Sequence, residues 1–172
     1  MKIAIVVVAL LVLSTGSLAQ AGDESSPFFK VPVGSTLTLN KKLTVQPGKA
    51  SVRMQDGDVM SFPRIDKYYA NCDFEVNTIA KEPTVIEPDT FTIMKVVNEH
   101  DFTTDDSVIS TFDSGGDSAV DYMTVMYLES KKQPDVLRMT CTHWEDPIDA
   151  EYLSINEMRK AMGKIFTLGI KR

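Results

Sequence analysis

Ala50-Ser-Val-Arg-Met-Gln-Asp-Gly-Asp-Val-Met-Ser-Phe62 is the stretch that decides the fold class. In its first half Ala50, Val52 and Met54 share one parity, and Ser51, Arg53 and Gln55 share the other. This is the period-2 pattern of a strand with one buried face. Asp56-Gly57 follows, a dipeptide suited to the positive-φ positions of a two-residue hairpin turn. The chain then returns through Val59 to Phe62. A β-hairpin is predicted here.

The same alternation continues on both sides. Upstream, Leu37, Leu39, Leu43 and Val45 oppose Thr36, Thr38, Lys42 and Thr44. They read as a hairpin turning at Asn40-Lys41, or as one long strand with a bulge there, followed by a turn at Pro47-Gly48. Downstream, residues 63–71 read as a loop carrying Tyr68 and Tyr69. Cys72, Phe74 and Val76 then set an apolar face against Asp73, Glu75 and Asn77. Further strands are predicted at 84–86, 91–97, 108–112, 120–128 and 136–144, with Phe91, Ile93, Lys95 and Val97 on one face. A turn at Lys132-Gln133-Pro134-Asp135 separates the last two.

The pattern changes at Ser154-Ile-Asn-Glu157, a capping box in which serine and glutamate each satisfy a backbone donor. Leu153 and Met158 have staple spacing, and Ile155, Met158 and Met162 share one helical face. Gly163 suits a left-handed stop, so a helix is predicted over 155–162. A last strand is expected within 165–170. Many short strands with one helix indicate a mostly β chain: a single-domain antiparallel β-sandwich or open barrel with one short C-terminal helix.

The amino-terminal end reads differently. Met1-Lys2 precedes an apolar run from Ile3 to Leu13, then small residues ending in Ala19-Gln20-Ala21. That is the pattern of a secretory signal peptide, with cleavage after Ala19 or, preferably, Ala21. The run is too short to span a bilayer, for which about 20 apolar residues are needed. No later run is long enough either, so no membrane insertion is expected after cleavage. The organisation is therefore a signal peptide at 1–21, a flexible leader at 22–30 and one β-rich domain at 31–172. The expected location is periplasmic or secreted.

Export bears on the two cysteines, Cys72 and Cys141. An oxidising compartment favours a disulfide between them. Composition bears on partners. The chain has 18 basic against 24 acidic residues, a formal net charge of −6, and Lys2 falls in the signal peptide. With no basic stripe interleaved with aromatics, nucleic acid is disfavoured as a partner.

Candidate chemistry is thin. Asp101, Asp105, Asp106, Asp113, Asp117 and Asp121 form an acidic stretch. Asp113, Asp117 and Asp121 are weak calcium candidates, because calcium takes several oxygen ligands from such loops. Their spacing is not that of an EF-hand, and solvated loop charge explains them better. Cys141-Thr-His143 with Cys72 offers too few ligands for a structural zinc site. His100 and His143 allow a serine–histidine–aspartate set on paper, but no Gly-x-Ser-x-Gly elbow is present. Asp66 with Tyr68 and Tyr69 would suit a sugar or carboxylate site. Tyr68, Tyr69, His143 and Trp144 are the weak binding candidates, although a strand end with an aromatic packing or interfacial residue explains His143-Trp144 better. Met54, Met60, Met94, Met123, Met126, Met139, Met158 and Met162 are spread singly, as gap-filling side chains are. No cofactor is expected.

Several segments resemble those of a group of uncharacterised exported proteins of proteobacteria. They are Leu37-Thr-Leu39 with Leu43-Thr-Val45, Ala50 to Gly57, Asp66-Lys-Tyr68 running to Cys72-Asp-Phe-Glu-Val76, and Pro88-Asp-Thr-Phe91. Leu137-Arg-Met-Thr-Cys141 and Leu153 to Gly163 complete the series. The resemblance implies a bacterial envelope location and brings no activity, cofactor or catalytic residue. The expected function is a non-catalytic envelope binding or accessory protein, engaging another envelope protein or a small ligand. The alternatives are an envelope hydrolase with a His/Asp-based site and a calcium-stabilised extracellular module.

Overall fold

The Asp56-Gly57 turn forms with φ of 51° and 85° at its two residues. It joins strand β3 (Ser51–Gln55) to β4 (Asp58–Met60), paired antiparallel with Gln55 opposite Asp58. The structure is a computed structural model and describes residues 23–103, 119–148 and 151–172. The predicted signal peptide, the 108–112 strand, Asp113 and Asp117 lie outside the described residues.

The other strands are β1 (Thr36–Leu39), β2 (Leu43–Val45), β5 (Asn71–Val76), β6 (Thr84–Ile86), β7 (Asp89–Thr103), β8 (Ala119–Glu129), β9 (Val136–Glu145) and β10 (Phe166–Gly169). Helix α1 covers Ile155–Met162. Eight strands form one sheet in the order β10-β1-β7-β8-β9-β5-β3-β4, and β2 pairs with β6 in a separate two-stranded sheet. The large sheet is antiparallel and curls into a half-barrel, so the mostly β expectation holds in its open form.

One face of the sheet is the core. Register places Val52, Phe74, Met139 and Met126 in one cross-strand row, and Met54, Cys72, Cys141 and Thr124 in the next. All eight are buried. Phe74 on β5 lies against Phe91 of β7 and Phe166 of β10, with ring centroids 5.8 and 5.0 Å apart. Since β8 and β9 separate β5 from β7 within the sheet, these rings meet across the inside of the curl. Helix α1 buries Ile155, Met158, Ala161 and Met162 there and touches β3, β5 and β10. It thus bridges the two ends of the sheet. Its capping box forms as predicted, with the Ser154 oxygen accepting from the Glu157 N–H and the Glu157 carboxylate accepting from the Ser154 N–H.

Three local expectations need correction. Asn40-Lys41 is neither a hairpin turn nor a bulge within one strand. β1 pairs with β10 and β7 while β2 crosses to β6, and Asn40 marks the corner, donating to Lys164 O and Thr167 Oγ1. Phe91, Ile93, Lys95 and Val97 do not share a face. The β7–β8 register shifts between Ile93 and Lys95, so a bulge at Met94 re-aims the strand and Val96 packs on the core instead. Gly163 ends α1 with φ 53° and ψ −127°, which is not the left-handed helical stop. The cause is a close approach to the hairpin turn. The Gly57 N–H donates to Ala161 O at 3.0 Å, and a Cβ on Gly163 would lie 2.3 Å from Gly57 Cα.

Of the methionines, Met54, Met126, Met139, Met158 and Met162 fill the core as read, whereas Met94 is exposed. Residues 23–30, polar in composition, make specific contacts. Glu24 pairs with Arg159 of α1, its carbonyl accepts from Asn156 N–H, and Phe29 packs against the core.

Candidate functional site

The strands that bury Phe74 and Met139 must present their alternate residues on the opposite face. Register lines these up as Arg53, Asp73, Thr140 and Val125 in one row, with Glu75 beside Arg138 and Asn71 beside Thr142 in the flanking rows. The face carries a groove of about 300 Å³ lined by these residues and by Phe62, Ile65, Lys67, Glu99, Asp121, Met123 and Trp144.

One wall of the groove is the 61–70 loop, which opens with a short 3-10 turn at Phe62–Arg64. Gln55 holds this loop down. Its buried amide donates to Asp66 O (2.8 Å) and Tyr69 O (3.3 Å) and accepts from the Asp66 N–H (3.1 Å). Asn71 donates to Tyr69 O and to Thr142 O of β9, both at 3.1 Å. At the far end the Trp144 N–H donates to Lys67 O at 2.7 Å. These bonds carry Lys67 over the Trp144 ring, its ammonium 4.1 Å from the centroid, and place it 5.5 Å from the Phe62 centroid. Arg53 lies 4.3 Å over Phe62. Cations held over ring faces in this way are attracted by the aromatic quadrupole.

The floor is a set of fixed charge pairs. Arg138 meets both Glu75 oxygens, at 2.8 and 2.9 Å, and Thr140 donates to the same carboxylate. Glu75 thereby holds the Arg138 guanidinium pKa up. Arg53 Nε donates to Asp73 Oδ2 at 2.9 Å. The other Asp73 oxygen, Oδ1, is buried and has no hydrogen-bond partner. Burial pushes the Asp73 carboxyl above its usual range, against the attraction of Arg53 and the nearby Ser51 hydroxyl, whose approach to the carboxylate does not meet hydrogen-bond geometry at Oδ1. An acceptor left without a donor in this way costs free energy until one arrives. Asp121 accepts from the Thr142 hydroxyl.

The four residues singled out for binding divide between two places. Trp144 lines the groove, and Tyr68 packs edge-on against it at 5.9 Å. Tyr68, Tyr69 and His143 line a separate pocket of about 220 Å³ with Asp56, Glu145, Glu157 and Lys160. His143 Nε2 hydrogen-bonds with Glu151 O at 2.8 Å, while the nearby Ser154 hydroxyl is engaged with Glu157. His100 stacks on Tyr122. Asp121 is the calcium candidate within the described residues, and among those residues no group of three metal-binding side chains occurs. Nor, among them, is any helix long and apolar enough to cross a membrane.

Sequence reasoning missed Arg53, Gln55, Phe62, Lys67, Asp73, Glu75 and Arg138. A signal was available. Cys72 lies opposite Cys141, with sulfurs 2.04 Å apart. A cross-strand placement of the expected disulfide sets the register that puts Asp73 opposite Thr140 and Glu75 opposite Arg138. No protein-family model, curated protein or solved structure matches the chain.

Proposed function

We propose that this chain is an exported, non-catalytic binding protein of the bacterial envelope that holds a small ligand in the Asp73 groove. The observation that carries the reading is the buried, unpartnered Asp73 Oδ1 within a groove where Arg138 is already paired to Glu75 and Arg53 to the other Asp73 oxygen. Binding sites keep such a few oriented polar groups beside apolar walls, and Phe62, Ile65, Met123 and Trp144 supply those walls here. The signal-peptide pattern supports export, as does the joined cysteine pair, because disulfides persist in oxidising compartments.

Native mass spectrometry tests this reading on the precursor expressed in a Gram-negative host and purified from the envelope fraction. The expected species lacks residues 1–21, shows no free thiol without reductant and carries a small adduct lost on denaturation. Retention of residues 1–21 with both thiols reduced would overturn export. A bare mature chain that binds nothing from an envelope extract would overturn binding.

A further inference from the structure

The groove also indicates what kind of molecule it takes, an inference that rests on the binding reading above. Four carboxylates (Asp73, Glu75, Glu99, Asp121) line it with three cations (Arg53, Lys67, Arg138). They are interspersed rather than segregated, because Arg53 is paired to Asp73 and Arg138 to Glu75. An anionic ligand entering beside Arg53 meets Asp73 and Glu75. A cationic one meets Arg53 and Lys67. Beside the Arg53–Asp73 and Arg138–Glu75 pairs, either must disrupt a pair or bear a like charge at short range. A neutral ligand meets neither cost.

What the groove offers a neutral ligand is specific. Asp73 Oδ1 is an acceptor awaiting a donor. Arg53 spends its Nε on Asp73 Oδ2, which leaves its terminal amino groups as donors beside that acceptor. An acceptor and a donor at neighbouring positions match a pair of adjacent hydroxyls, one donating and one accepting. Against the same spot stands Phe62, 58% exposed although the Arg53 guanidinium covers one ring face, with Ile65 and Trp144 further along. An aromatic body of this kind packs on an apolar C–H face. The volume of about 300 Å³ lies at the small end of ligand sites.

We propose that the groove binds a neutral, hydroxyl-rich ring of the sugar class, with adjacent hydroxyls on Asp73 Oδ1 and the Arg53 guanidinium and a C–H face against Phe62.

Trp144 is the one tryptophan in the sequence, so its emission reports the groove directly. The intact mature protein is titrated separately with glucose, galactose, N-acetylglucosamine, spermidine and glutamate at constant ionic strength. A saturable emission change with at least one sugar, and none with spermidine or glutamate, is the expected result. Asp73→Asn should then weaken that sugar by about tenfold or more, as loss of a charge-assisted hydrogen bond does. Phe62→Ala, at an exposed ring whose removal does not threaten folding, should weaken it as well. Glu82→Gln, at an exposed side chain outside the groove, should leave it unchanged. Saturation by spermidine or glutamate alone overturns the sugar assignment while leaving a binding protein in place. Silence from every probe overturns the sugar assignment, and the envelope-extract experiment then decides the binding reading. A sugar response unaffected by both Asp73→Asn and Phe62→Ala overturns the site.

Discussion

Phe74 and Glu75 are consecutive residues of β5 and belong to two different environments. Phe74 points into the curl, fully buried against Phe91 and Phe166. Glu75 points to the opposite face, where Arg138 and Thr140 hold it at the floor of the groove. One face is held by apolar burial, which is large and non-directional. The other is held by oriented pairs that contribute little net stability but fix positions. The difference teaches where this fold keeps its stability and where it keeps its specificity.

Substitutions on adjacent positions should expose that division. Phe74→Ala is expected to cost about 3–5 kcal/mol in denaturant unfolding, the range for deleting a buried aromatic. A loss below about 1 kcal/mol would show that the inner face is not the stabilising one. Joining β5 to β9 at Cys72 and Cys141 should contribute about 2–4 kcal/mol, for a bridge closing 69 positions of chain. Melting with and without reductant checks it, and an unchanged transition would remove the bridge from the account. Glu75→Ala should cost only about 1–2 kcal/mol while freeing Arg138, a change visible as altered Trp144 emission.

The smallest effect is expected at Asp73. Burial holds its pKa above the ordinary 3.8, so the native state keeps its proton longer than the unfolded chain does. Its stabilising contribution is full below 3.8 and is lost as pH rises through the raised value. Asp73→Asn should flatten the stability–pH curve in that window and change stability by less than about 1 kcal/mol elsewhere. An unaltered slope would mean that Asp73 titrates as an ordinary carboxylate.

The inner face was the legible one. Alternation marked Leu37, Leu39, Val52, Met54, Cys72 and Phe74 as core, and the capping box placed α1 to the residue. Both signals are local, and local pattern survives folding wherever one face is buried. The groove was not legible, because its residues come from five strands and a loop whose register no local pattern encodes. Gln55 illustrates this. Alternation put it on the polar side, and there it is buried beneath a loop whose backbone it satisfies. The bulge at Met94 was hidden for a similar reason, since two-residue periodicity continues through it in sequence while the pleat does not. Tyr68 and Trp144 were singled out separately and do meet. Tyr69 and His143, singled out with them, line a separate pocket that Tyr68 also lines.

The position of β1 has a kinetic consequence. Its neighbours are β7 and β10, so Leu37 pairs with Phe91 on one side and Leu168 on the other. An early segment thus waits for partners synthesised much later. Such long-range closure slows folding, because loop entropy is lost before contacts reward it. A ribosome-bound chain therefore cannot finish this sheet until its final strand has emerged. Trimming residues 166–169 should stall assembly with β1 half-paired rather than merely shorten the product.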